Sequence, residues 1–147
     1  MRDLKGGVHP DVGWLGERRL RWEWGHWLGG FSWNHFVTLT FGSRADRPYA
    51  LKQFGRWIRD LERRAQQPIL WAVAPERTTD EHVHLHALLS GSDTLTREDI
   101  ERSWQPGFAR STRYDARLGA SYYLAKAIDN EWCELDVDRR LTGAVHE

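Results

Sequence analysis

Within a span of five residues the chain places three histidines, His82, His84 and His86, at alternate positions. Extended backbone turns such residues to one side, so they form a row of imidazoles while Val83, Leu85 and Ala87 face the other way. Two neighbours in that row can chelate one ion, and a turn can fold Glu76, at the end of the preceding apolar run, back beside His84. Two imidazoles and a carboxylate leave coordination positions open, as a catalytic rather than a structural metal requires. Mixed nitrogen and oxygen ligation admits Mn²⁺, Mg²⁺, Zn²⁺ or Fe²⁺, and donor softness alone does not choose among them. His84 belongs to either pairing, with His82 or His86 as its mate.

A second constellation is Tyr123-Leu-Ala-Lys126, where helical spacing puts a phenol and an ammonium on one side. A neighbouring cation favours a phenolate and can contact a phosphate, so the pair suits a tyrosine nucleophile. Tyr122 competes for the role, but it falls with Leu118, Ala125 and Asp129 on a helical stripe expected to be core. Tyr114 reads as packing for the same reason.

The elements that must position these groups follow from periodicity. Residues 35–41, β-branched and aromatic in alternation, predict a strand, and 42–48 a loop. From Tyr49 to Gln67 the residues Leu51, Phe54, Ile58, Leu61 and Ala65 recur at three and four, an amphipathic helix ended before Pro68. Ile69–Ala74 reads as a buried strand, Pro75–Glu81 as a loop and His82–Leu89 as a second strand beside the first. Thr96 caps a helix reaching about Trp104, where Pro106-Gly107 stops it. Phe108–Tyr114 is a weak fourth strand, Ala116–Asn130 a helix and 133–147 an acidic tail. The order β, α, β, β, α, β, α predicts an α+β domain of ferredoxin-like type, an antiparallel sheet with helices mainly on one face.

The 147 residues, 40% hydrophobic and 29% charged, fit one such domain, here 35–132. The single Cys133 excludes an internal disulfide framework, and no apolar run has the length of a signal peptide or a membrane span. The expected location is the cytoplasm, with no membrane partner. No GxxxxGK[ST] phosphate loop occurs, which speaks against ATP-driven unwinding.

Charge cancels overall, 21 basic against 21 acidic residues, but residues 1–70 hold 12 Lys/Arg against 7 Asp/Glu and 71–147 hold 9 against 14. The first half is thus the better match for an anionic ligand, and Arg44, Arg47, Lys52 and Arg56, with Arg59 and Arg63, are the candidate nucleic-acid contacts around the first helix. Five of the nine tryptophans lie in residues 13–33. The alternation Arg21-Trp22-Glu23-Trp24 puts two rings on one face, for packing of segment 1–34 against the domain or, for Trp22 and Trp24, for stacking on unpaired bases.

Phe36-Val-Thr-Leu-Thr-Phe41, then Glu76 with His84-Leu-His86-Ala-Leu-Leu, then Tyr123-Leu-Ala-Lys126 resemble, in that order, the three motifs of HUH endonucleases of the rolling-circle replication initiator type. The resemblance spans residues 35 to about 130. It implies a nickase and strand transferase for single-stranded DNA, an origin hairpin among its forms, serving a plasmid or phage. Glu76, His84 and His86 (with His82 as alternate) would hold Mn²⁺ or Mg²⁺, Tyr123 would attack the scissile phosphate and become a 5′-phosphotyrosine, and Lys126 would position or neutralise the phosphate. The second tyrosine of some relatives is replaced by Ala127 and the next lysine by Asn130, which implies a single-tyrosine enzyme, acting as a monomer with a host or partner helicase in trans. A single-tyrosine transposase of an insertion sequence, using His82 and His84, is the near alternative. A ferredoxin-like module that binds nucleic acid without cutting it is the non-enzymatic one, and a zinc hydrolase of a small substrate is a third class.

Overall fold

Alternation along residues 35–39 sorts side chains onto two faces, and the sheet built from it has a different task on each. The computed structural model describes residues 25–77, 82–120, 122–123 and 135–146. Its elements are β1 (His35–Leu39), α1 (Arg47–Ala65), β2 (Leu70–Arg77), β3 (Val83–Ser90), α2 (Arg97–Arg102), β4 (Ala109–Arg113), β5 (Asp136–Val137) and α3 (Arg139–His146). Trp14, Trp22 and Trp24, the alternating segment that carries the last two, and Lys126 lie outside the described residues.

The local signals for the helices are those expected of the sequence. Asp46 caps α1 by accepting from the Tyr49 N–H at 2.9 Å, and Gln66 ends it in the left-handed region, φ 56°, two residues before Pro68. Thr96 and Asp99 form a reciprocal capping box at the start of α2. Both helices pack on the face that carries Val37, Leu39, Val73, Leu85, Ala87 and Leu89. Trp57 and Trp104 meet edge to face there, their ring centroids 5.8 Å apart. The Trp104 indole N–H donates to the Thr40 carbonyl at 2.8 Å, and that of Trp57 to Ser103 Oγ at 3.0 Å, so the buried rings leave no donor unsatisfied.

The five strands are antiparallel in the order β4-β1-β3-β2-β5. Order and connections through β4 are those of a ferredoxin-like α+β fold, with β5 added beyond β2. The sequence reading differs in three places. Residues Pro75–Arg77 extend β2 rather than loop away from it, pairing as far as Arg77 with Val83. Pro75 lies beyond Ala72 and Val73, the stretch that β5 pairs, a setting in which a strand tolerates proline. The second face also carries helical residues: Leu28, Ala120 and Leu141 cluster there with Trp33, Leu88 and Tyr123.

The third difference is the acidic tail, whose residues 136–146 form β5 and α3. Buried Asp138 accepts from Arg140 at 2.7 Å, and Arg140 also reaches Glu62 of α1 at 2.8 Å and the Ile69 carbonyl at 3.0 Å. A buried carboxylate with such a partner is tolerated where a lone one is not, and charge here stitches the segment to the domain.

His35 is buried at the mouth of the helical core, 2.6 Å from Ser92 Oγ. Burial lowers its pKa, Arg113 adds to the depression and Asp93 opposes it. The unfolded chain therefore takes up the proton first: stability is full above the ordinary histidine value and is lost as pH falls through it towards the folded one. The urea midpoint of the wild type should fall between about pH 7 and pH 5, and less steeply in His35→Gln. Parallel curves for the two proteins would reject this assignment.

Candidate active site

β3 is the middle strand, and its alternation splits the sheet's two tasks. Val83, Leu85, Ala87 and Leu89 enter the helical core, while His84, His86 and Leu88 face the other side. The register places Glu76 opposite His84, and sets His86 between Ala74 of β2 and Thr38 of β1. His86 Nε2 lies 2.5 Å from Glu76 Oε2, and its Nδ1 3.3 Å from Thr38 Oγ1. Phe36 stacks on the same imidazole, with ring planes 10° apart and centroids at 6.0 Å. Both ring nitrogens thus have an oxygen partner and the ring plane is fixed from the side.

The His86 side chain is 11% exposed, that of Glu76 30%. Burial lowers the His86 pKa; the hydrogen bond and charge of Glu76 pull it up, and His84 adds a small depression. Desolvation wins, so the imidazole is held neutral at neutral pH, the state a metal ligand needs. Among the described residues no three His, Cys, Asp or Glu side chains are closed around one point. What the strands bring together is the Glu76–His86 pair, with His84 alongside Glu76 in register and His82 just ahead of the strand. Two imidazoles and a carboxylate on one face fit a divalent ion by donor chemistry.

The last predicted helix has the expected period with a different phase. Ala120 and Tyr123 are the residues that dock, and Leu118 and Tyr122, read as the buried stripe, are exposed at 48% and 42%. Gly119, at φ +79°, sets the direction of entry. The Tyr123 ring lies 5.0 Å from Phe36 and 4.9 Å from Tyr114, and its hydroxyl accepts from the Asp115 N–H at 2.8 Å. Tyr122 meets it edge-on at 5.2 Å. Tyr123 is therefore on the histidine face, with Phe36 lying between it and His86. Tyr114 packs against it, as expected, and burial raises the Tyr114 pKa.

The predicted arginine patch is elsewhere. α1 packs on the opposite face of the sheet, so Lys52 and Arg56, and with them Arg44 and Arg47 at the start of the helix, are not gathered around Tyr123. Arg47 reaches Asp136 at 3.4 Å, and Arg56 lines a cleft between α1 and α2 with Arg63, Arg64 and Trp104. Sequence reasoning missed Thr38 and Phe36 as site residues. Their alternation was visible; the register that sets them against His86 was not.

A model of the replication-associated protein ORF2 family matches residues 34–131, two thirds of the chain. The chain belongs to that family. No curated protein and no solved structure matches it. The family match covers β1 to β4 and with them Glu76, His84, His86, Tyr123 and Lys126. β5 and α3 lie beyond it. No helix among the described residues of this replication-associated protein is long and apolar enough to cross a membrane.

The tyrosine geometry sets a measurable asymmetry in the replication protein. Tyr123→Phe leaves the Asp115 N–H without its acceptor and should cost about 1 kcal/mol of stability, whereas Tyr122→Phe, at an exposed ring, should change it by less than about 0.5 kcal/mol. Denaturant unfolding of the two variants checks the order, and equal costs would contradict the burial described here.

Proposed function

We propose that this replication-associated protein nicks and rejoins single-stranded DNA through a 5′-phosphotyrosine on Tyr123, as a single-tyrosine HUH endonuclease of the rolling-circle initiator kind. The observation that carries the reading is the Glu76–His86 contact with His84 on the same face, one aromatic ring from Tyr123, inside the span the family covers.

Glu76, His84 and His86 would hold Mn²⁺ or Mg²⁺. Bound there, the ion supplies polarisation of a non-bridging phosphate oxygen and support for the departing 3′ oxygen. Thr38 and Phe36 fix the His86 ring, and burial keeps it neutral. Tyr123 Oη exchanges the Asp115 N–H for the phosphorus: the new O–P bond forms as the bond to the 3′ oxygen breaks, the phenolic proton leaves to solvent and the 3′ oxygen gains one. Lys126, three residues on, lies outside the described residues and is assigned the neutralisation of the phosphate. The phosphotyrosine conserves the ester, so a free 3′-hydroxyl reverses the step without ATP. Because Glu76 contacts His86, the pairing of His84 with His86 is favoured over that with His82.

The test is a denaturing gel of the protein with a labelled pool of random-sequence single-stranded oligonucleotides, in Mn²⁺ and in EDTA. A covalent band should need Mn²⁺, persist in Tyr122→Phe and His82→Ala, and be lost in Tyr123→Phe and His86→Ala. A band that survives Tyr123→Phe and vanishes in Tyr122→Phe moves the nucleophile to the exposed ring. Salt-sensitive binding without a band under any condition favours the non-catalytic module. Thr38→Val removes only the Nδ1 partner and should raise the Mn²⁺ concentration for half-maximal adduct about 10-fold or more; an unchanged requirement would remove Thr38 from the site.

A further inference from the structure

Edge strand β4 carries, on the histidine face, side chains to which the nicking chemistry gives no role. Arg110 is the register partner of Thr38, which in turn is the partner of His86, so the three lie in one row across the sheet. The ladder runs on past β4: the Thr40 N–H donates to the Phe108 carbonyl and the Gly42 N–H to the Pro106 carbonyl, both at 2.8 Å. Alternation then sets Phe108 on the face of Arg110, opposite Thr40. Continuing the β1–β3 register by one residue sets Thr40 opposite His84, whose partner is Glu76. Phe108, Thr40, His84 and Glu76 form a second row beside the first.

Phe108 is 83% exposed, well above Leu118 at 48% and Tyr49 at 44%. A single exposed apolar residue needs no explanation. This one is held by its backbone rather than carried on a loose loop: its N–H donates to Thr40 Oγ1 at 3.2 Å, and a Cβ on the preceding Gly107 would strike the Thr40 backbone. Arg110 is exposed and forms no ion pair among the described residues. Asp115, at the far end of the same edge, is already taken by Arg117 at 3.0 Å. Two strand spacings, about 10 Å, separate the β4 positions from those of the histidines, within reach of a nucleotide adjoining a phosphate at the His84–His86 pair.

We propose that Phe108 and Arg110 form the edge on which single-stranded DNA lands beside the scissile phosphate, Phe108 stacking on an unpaired base and Arg110 holding a backbone phosphate. The placing of that phosphate rests on the nicking reading; binding at the edge is measurable without cleavage.

Fluorescence anisotropy with a labelled pool of random-sequence single-stranded oligonucleotides, in EDTA so that no adduct forms, tests it. Phe108→Ala should bind about 5- to 150-fold more weakly and Phe108→Trp at least as well as wild type. Arg110→Gln should reduce the slope of affinity against salt by about one. Thermal melts matching wild type show that the exposed substitutions leave the fold intact. Equal affinity of wild type, Phe108→Ala and Arg110→Gln, or no binding by wild type, overturns the proposal, as does a change in oligomeric state in Phe108→Ala with DNA affinity unchanged. Adduct formation at wild-type yield in a Phe108→Ala protein of unchanged affinity would remove the edge and leave nicking in place. Phe108-dependent binding with no adduct in Mn²⁺ would do the reverse.

Discussion

The register of β3 between β1 and β2 is the constraint on which the rest depends. Side chains alternate with a period of two, so a slip of one residue would expel Leu85, Ala87 and Leu89 from the helical core and drive His84 and His86 into it. Burying Leu85 and Leu89 completely on one side therefore specifies where the imidazoles point on the other. Hydrophobic burial does the positioning, and the polar groups are carried with it.

The second face is then divided along the strands. At one end Leu88, Ala72 and Phe36 accept Leu28, Trp33, Tyr123 and Leu141, which makes that end a second core. At the other end the residues on the same face are Thr38, His84, His86 and Glu76. Phe36 lies at the border, one of its neighbours the His86 ring and the other the Tyr123 ring. The apolar end shields one side of His86 and lowers its pKa, while Glu76 keeps an acceptor against it. A neutral, oriented imidazole beside a carboxylate is the product of that border.

Additions around the ferredoxin-like frame serve the same division. The Arg140–Asp138–Glu62 ion pairs hold β5 and α3 at the β2 edge, where Leu141 completes the second core. On the opposite edge β4 has a strand on one side only, and the same face there presents Phe108 and Arg110 to solvent. One edge is closed and the other remains open to a ligand.

Much of this was legible in the residues themselves. Alternation in 35–41 and 82–89, the three-and-four spacing of 49–67, the Thr96 cap and the Pro106-Gly107 stop are local signals, and local propensity and burial agree on them. So was the choice of Glu76, His84 and His86 as a group, since a strand shows its faces by period alone. The phase of the last helix was not: Tyr122 and Tyr123 share one helical period, and only the second core, by taking Ala120, decided that Tyr123 is buried. Nor was the side on which the α1 arginines lie, nor the ordering of residues 136–146, because an ion pair such as Arg140–Glu62 joins residues far apart in the chain. Sequence determined which residues could act and which way each strand's side chains alternate; tertiary packing decided which of them meet, because register and layer are set by contacts between elements that no single segment contains.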